Sequence, residues 1–286
     1  INVIGKLSGG LAKNPIDNLT PYLGQNLHLG GTASIPNWVR HNFGMALLLG
    51  DVKNDTTLRR NVAVEAVENI VVDSGLIFGF SHGFLQDRLS IGADVKFLVR
   101  GAGALTMDAV QLYTKKAFNF KDIGGYGFGV DGDLGAMYTF NKVAFFVPTV
   151  GLTINNIGET KFPTRFENNS GVGDLSNQFR LRRSVGLGSK FELPSMWRFS
   201  KWIFAFDVNQ IGLEGSMFKK IHLGTEALLF NFFGLRGGIN QGYFTFGLTL
   251  NIPIMQIDFY TYGEELGSSA GSKGDRRIGL QVSFSW

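Results

Sequence analysis

Ten ionisable side chains sit inside otherwise apolar stretches of this 286-residue chain: Asp94, Lys96, Arg100, Asp133, Lys190, Asp207, His222, Glu226, Arg236 and Asp258. They stand at alternate positions between apolar neighbours. Side chains on a strand point to opposite faces with period two, so the ten are expected on one face of a sheet and the apolar residues on the other. They comprise five acids, four bases and His222. One chemistry for such a set is a pore whose charges select solutes. The other is a network of ion pairs that fills an interior and carries nothing. A selective ion pore more often has rings of one sign, so the mixed signs favour pairing.

Other chemistry is poorly supported. His222 and Glu226 share a face, but four residues along a strand is about 13 Å, too far for both to hold one ion. No metal or cofactor is expected. Ser81-His82 is the one adjacent Ser/His pair, and neighbours on a strand point apart. No Gly-x-Ser-x-Gly, His-Glu-x-x-His or phosphate loop is present, and the chain reads as a non-enzyme.

The elements that position these residues follow from the same period. Ile278, Leu280, Val282, Phe284 and Trp286 alternate with Gly279, Gln281, Ser283 and Ser285. Phe244, Phe246, Leu248, Leu250 and Ile252 alternate with Thr245, Gly247, Thr249 and Asn251. On residues 89–99 the apolar face is Leu89, Ile91, Ala93, Val95, Phe97 and Val99, and Leu98 is an apolar exception among the polar positions. Strands of about ten residues with one apolar and one polar face are the signature of a transmembrane β-barrel. The composition agrees: 39 glycines, 26 phenylalanines, 17% charged residues, no cysteine, and no apolar run approaching the 20 residues of a membrane helix. The net charge of +4 comes from scattered Lys and Arg, which argues against a nucleic-acid partner.

The pattern predicts an all-β, closed antiparallel transmembrane barrel of about 14 strands (12–14). They lie near residues 22–34, 42–51, 58–68, 74–84, 88–100, 124–140, 143–155, 179–192, 199–210, 217–229, 232–240, 243–252, 254–263 and 275–286. One alternate set of connections is short (85–87, 141–142, 193–198, 230–231, 253, with 52–57 somewhat longer). The other holds the long ones (101–123, 156–178, 264–274). Long loops on one side and short turns on the other is the asymmetry of outer-membrane barrels, whose short side is periplasmic. An even strand number would put both termini on the short side. Residues 104–118 read equally as a short helix or an irregular loop. Tyr126, Tyr138, Trp202, Tyr260, Tyr262 and Trp286 are expected mostly in interface girdles. Gly124, Gly125, Gly127 and Gly129, the densest glycine stretch, are a candidate gate, because missing side chains weaken strand packing.

In order, "GYGFGVDGDLGAMYTF" (125–140), "VGLTINNIG" (150–158), "LRRSVGLGSKFEL" (181–193), "FAFDVNQ" (204–210), "HLGTEALLFNFFGLRGGINQGYFTFGLTL" (222–250) and "IDFYTYGEELG" (257–267) resemble the FadL superfamily. The likeness covers about residues 123–286 and is nearer to the PorV-like branch than to the fatty-acid transporters. It implies a 14-stranded barrel in the Gram-negative outer membrane, and Trp286 resembles the terminal aromatic read by the barrel-assembly machinery. Only Asn14-Pro15-Ile16 stands where the family carries its hatch segment, so residues 1–21 are expected as a periplasmic segment or small plug before a barrel of 22–286. Two functions follow as expectations. One is a porin-like channel for small hydrophobic solutes. The other is a non-enzymatic structural partner docking a surface or secretion protein. In either, outer-membrane lipids surround the barrel.

Overall fold

A computed structural model of the chain describes residues 23–60, 64–108, 125–143, 146–162, 164–166, 179–195 and 199–284. The structure is all-β. Fourteen strands form in chain order: β1 (Asn26–Arg40), β2 (Phe43–Arg60), β3 (Val64–Phe84), β4 (Leu89–Asp108), β5 (Gly125–Thr139), β6 (Val147–Asn155), β7 (Thr164–Phe166), β8 (Ser184–Leu193), β9 (Phe199–Ile211), β10 (Ile221–Leu229), β11 (Phe233–Asn240), β12 (Tyr243–Ile252), β13 (Met255–Glu265) and β14 (Gly274–Phe284). All but β7 join in sequence order into one wall of a nearly closed, antiparallel barrel; β7 pairs separately with β5. Among the described residues no helix is long and apolar enough to cross a membrane.

Register carries one apolar row from strand to strand. Trp202 lies opposite Ala227, Ala227 opposite Leu235, Leu235 opposite Leu248, Leu248 opposite Phe259 and Phe259 opposite Leu280. Directly opposed residues share a face, so the row is continuous on the outside. Phe204, Phe246, Leu248, Leu280 and Phe284 are all exposed there. So large an exposed apolar surface fits the lipid-facing side of a transmembrane barrel. Leu248→Arg is therefore expected to cost about 2–4 kcal/mol of folding stability in a bilayer. The readout is the urea midpoint of the heat-modifiable gel band.

The two faces are turned into a wall by tight turns. Gln241 and Gly242, between β11 and β12, both have positive φ (53° and 91°). This two-residue turn matches the right-handed twist of the flanking strands, and glycine adopts its second position without strain. The long connections 109–124, 156–183 and 266–273 all fall at one end of the wall. Residues 41–42, 85–88, 140–146, 194–198, 230–232 and 253–254 fall at the other.

The first part of the wall differs from expectation. Four expected strands, 22–34, 42–51, 58–68 and 74–84, are three long ones, and β2 and β3 have 18 and 21 residues. Residues 52–57 look like a turn because they are polar, yet they pair with β3 throughout. Their side chains find lateral partners: Asp55 meets the His28 ring at 2.8 Å and the Asn54 amide donates to Glu68 at 2.7 Å. With thirteen wall strands, β1 begins at the long-loop end and β14 finishes at the short-turn end. The described ends of the wall therefore lie on opposite sides, not together. Residues 104–108, read as a loop or helix start, continue β4, and 109–118 lie outside the described residues. So do residues 1–21 and Trp286.

At the long-loop end, Glu265 organises the connection 266–273. Its carboxylate is 1% exposed. Burial pushes its pKa up, but the Tyr243 hydroxyl (2.7 Å), the backbone N–H of Gly267 (2.6 Å) and Lys273 (2.7 Å) and the Ser272 hydroxyl (3.0 Å) donate to it. Together they hold the pKa down at about 2, against the ordinary 4.5. A depressed carboxylate stabilises the fold fully above the ordinary value, and that contribution is lost as pH falls from about 4.5 through about 2. Glu265→Gln is expected to make the loop protease-sensitive at neutral pH, as acid does to the unaltered chain. Equal loop protection in both chains at neutral pH would contradict this.

Candidate functional site

Parity places all ten charged positions on the inner face, and most have partners there. On the β3–β5 side, Arg100 lies opposite Asp73. They form a two-armed pair, Nε–Oδ1 2.7 Å and Nη2–Oδ2 2.6 Å, each side chain 11% exposed. Such a fork is the strongest geometry open to arginine and a carboxylate. Lys96 Nζ is 2.6 Å from Asp133 Oδ2. The backbone N–H of Asp133 donates to Asp94 Oδ1 at 3.2 Å, and that of Asn156 donates to Asp133 Oδ1 at 2.8 Å.

The opposite side has its own cluster. Arg236 bridges Glu226 (2.8 Å) and Asp258 (3.0 Å). Asp258 is 3% exposed and also accepts from the Thr249 hydroxyl (2.6 Å) and the Gln256 amide (2.8 Å). His222 Nδ1 lies 2.6 Å from Asn240 Oδ1, and Asp207 stands opposite His222 across β9 and β10. Lys190 approaches Glu192 at 3.3 Å. No group of three potential metal ligands occurs among the described residues. Opposite charges are interleaved, so among the described residues no ring of one sign faces the lumen.

Beside the charges lies an apolar cluster. Past β6 the chain stays alongside β5, and the described parts of the β6–β8 connection bury Phe162 (3% exposed) and Phe179 (4%) against Leu98 and Ala102 on the inner face of β4. Leu48, Val71, Ala104 and Leu181 pack around them. The loop is anchored through Asp131 of β5, which accepts the backbone N–H of Gly158 (2.9 Å) and Thr160 (3.0 Å). Phe162 and Phe179 are tied by a backbone hydrogen bond of 2.8 Å. The Arg100 guanidinium lies 4.9 Å from the Phe162 ring centroid, within cation–π range. One ion pair of the wall thus supports one ring of this cluster.

Gly127 and Gly129 sit on the same inner face, both buried. A Cβ at Gly129 would meet the Phe162 ring and the Thr160 methyl at 2.7 Å, so the bare backbone there is what lets the loop approach. Gly125 pairs with Ala102 and Phe166; Gly124 lies outside the described residues. Two aromatics depart from the girdle expectation. Tyr260 and Tyr262 share the parity of Asp258 and therefore face the lumen, lying opposite Gly279 and Arg277. Tyr126 is exposed on the outer face, and the Trp202 indole donates to Thr225 on that face at 2.9 Å.

The residues that sequence reasoning missed are Asp73, Asp131, Phe162 and Phe179. Asp73 fell in an expected gap between strands. The loop phenylalanines have no periodic context. Their signal was Leu98, the one large apolar residue among the inner positions of β4, which requires an apolar partner inside.

No protein-family model matches the chain, and no curated protein matches it. Among solved structures, the chain is similar to a "CymD monoaromatic hydrocarbon channel", with 12% identity over 96% of this chain and 89% of that one and a TM-score of 0.42. At that score the likeness carries no argument about what this barrel does.

Proposed function

We propose that the chain is an outer-membrane barrel of the FadL kind that passes small hydrophobic solutes, with its long loops outside the cell and its short turns in the periplasm. The observation that carries the reading is the apolar cluster of Phe162 and Phe179 on Leu98 and Ala102, inside a lumen whose charges pair with one another, and we read it as the constriction of the path. Paired charges are already satisfied and offer little to a passing ion. An apolar solute can replace the contacts of a phenyl ring, which an ion cannot. The ordered motifs of residues 123–286 support the FadL superfamily, and the PorV-like branch rests on those motifs alone. Gly125, Gly127 and Gly129 are the proposed gate, because the constricting loop rests on that stretch. The reading includes no catalytic step and no cofactor.

Planar-bilayer recording tests it. The unmodified barrel is expected to conduct ions poorly, because Phe162 and Phe179 occlude the polar path. A large, steady conductance would overturn the reading. If conductance is absent and apolar solutes also fail to cross, docking of a surface or secretion protein replaces it.

A further inference from the structure

A hollow of about 420 Å³ opens on the inner face of the first strands of the wall, towards the short-turn end. Asp94, in its lining, stands four residues along β4 from Leu98, about 13 Å nearer the short turns than the Phe162–Phe179 cluster. Register lays out the floor. Gly44 lies opposite Gly79, Gly79 opposite Asp94, Asp94 opposite Asp133, and Gly135 opposite Thr153. These glycines do not relieve a clash as Gly129 does. A Cβ at Gly79 would meet nothing within 4 Å, and one at Gly44 or Gly135 nothing nearer than 3.9 Å. Side chains would fit at all three positions, and bare backbone there keeps the hollow open.

The charge of the hollow is unbalanced. Asp94 and Asp133 stand side by side, and Lys96 is engaged by Asp133 at 2.6 Å. Asp94 accepts the backbone N–H of Asp133, and among the described residues no Lys, Arg or His lies within ion-pair distance of it. Arg40 also borders the hollow, but its guanidinium lies over the Trp38 ring at 5.2 Å, and Trp38 is opposite Met45 on the outer face. Two carboxylates against one ammonium leave room for a second cation that donates a hydrogen bond. The volume is that of a small-molecule site, about 300–1,000 Å³. We propose that the hollow binds small apolar amines, with the ammonium at Asp94 and the apolar body over the bare backbone of Gly79 and Gly135. The proposal rests on the channel reading for the solute's route and narrows its solutes: amines are favoured, and the same carboxylate pair repels apolar acids.

Calorimetric titration of the full chain in detergent, against micelles alone, tests this with benzylamine and, separately, benzyl alcohol at neutral pH. Benzylamine is expected to bind saturably and more tightly than benzyl alcohol. Asp94→Asn keeps the shape and the acceptor for the Asp133 N–H but removes the charge. It is expected to weaken benzylamine binding about tenfold or more, the range of a charge-assisted hydrogen bond, and to leave benzyl alcohol unaffected. Gly79→Leu fills the hollow and is expected to abolish benzylamine binding. Gel mobility with and without heating confirms that each variant is folded. No saturable benzylamine binding to the unaltered chain, or unchanged binding in either folded variant, would overturn the proposal. Uptake by cells separates it from the reading it rests on. Entry of benzyl alcohol through a barrel that shows no Asp94-dependent amine binding removes the amine site and leaves the channel. Asp94-dependent binding without entry of either solute keeps the site and removes the channel.

Discussion

Replacing Phe162 and Phe179 together by alanine is expected to convert a poorly conducting barrel into one that conducts ions steadily. Among the described residues, the two rings are the main apolar mass that the β6–β8 connection places on the inner face. Without them, the path beside Lys96, Asp133 and Arg100 is open to water. Each truncation of a buried phenylalanine costs about 3–5 kcal/mol where the cavity cannot collapse. Here the loss falls on a loop, and the wall ladders between β4, β5, β6 and β8 do not depend on it. The double variant should therefore retain the compact, unheated gel mobility of a folded barrel. Single-channel recording reads the effect. A folded double variant with unchanged conductance would show that these rings are not the constriction.

Asp73→Asn is expected to be the most destabilising single change in the lumen. It breaks a two-armed fork between two side chains that are each only 11% exposed. Removing one member of a buried pair costs about 3–5 kcal/mol, whereas replacing both by apolar groups of similar volume is often nearly neutral. Asp73→Leu with Arg100→Met should accordingly lie closer to the unaltered chain in urea midpoint than Asp73→Asn does. Because Arg100 also lies against the Phe162 ring, Asp73→Asn should loosen the loop as well, seen as faster proteolysis beyond Phe162. A single variant as stable as the unaltered chain would mean that the pair is screened by lumen water.

From β5 onward, alternation alone located the wall. Each strand there has a continuous apolar face, as on Phe244–Ile252, and a one-residue error would reverse a whole strand. The amino-terminal third was less legible because β2 and β3 carry polar runs, Val52–Thr57 among them. Those residues remain in the strand only because His28, Glu68 and other cross-strand neighbours accept or donate to them. Such pairing is tertiary and leaves no mark in the local pattern. The miscount of one strand there also reversed the expected side of the wall's first end. Tyr260 and Tyr262 were misread for a different reason. Residue type suggested a girdle, while parity with Asp258 already assigned them to the lumen. The lumenal charges were legible as positions but not as partners, since Asp73 and Asp131 lie on strands whose register only the fold supplies. The constriction was visible only through Leu98.

Uptake by intact Gram-negative cells tests the central claim most directly, because their lipopolysaccharide leaflet, unlike a simple bilayer, resists apolar compounds. Cells producing this chain and cells without it would be given a radiolabelled small apolar solute and, separately, a polar solute of similar size. Faster entry of the apolar solute alone, with no gain for the polar one, is the predicted result. Equal entry of the apolar solute in both cell types, with the barrel shown to be folded in the outer membrane, would contradict the account.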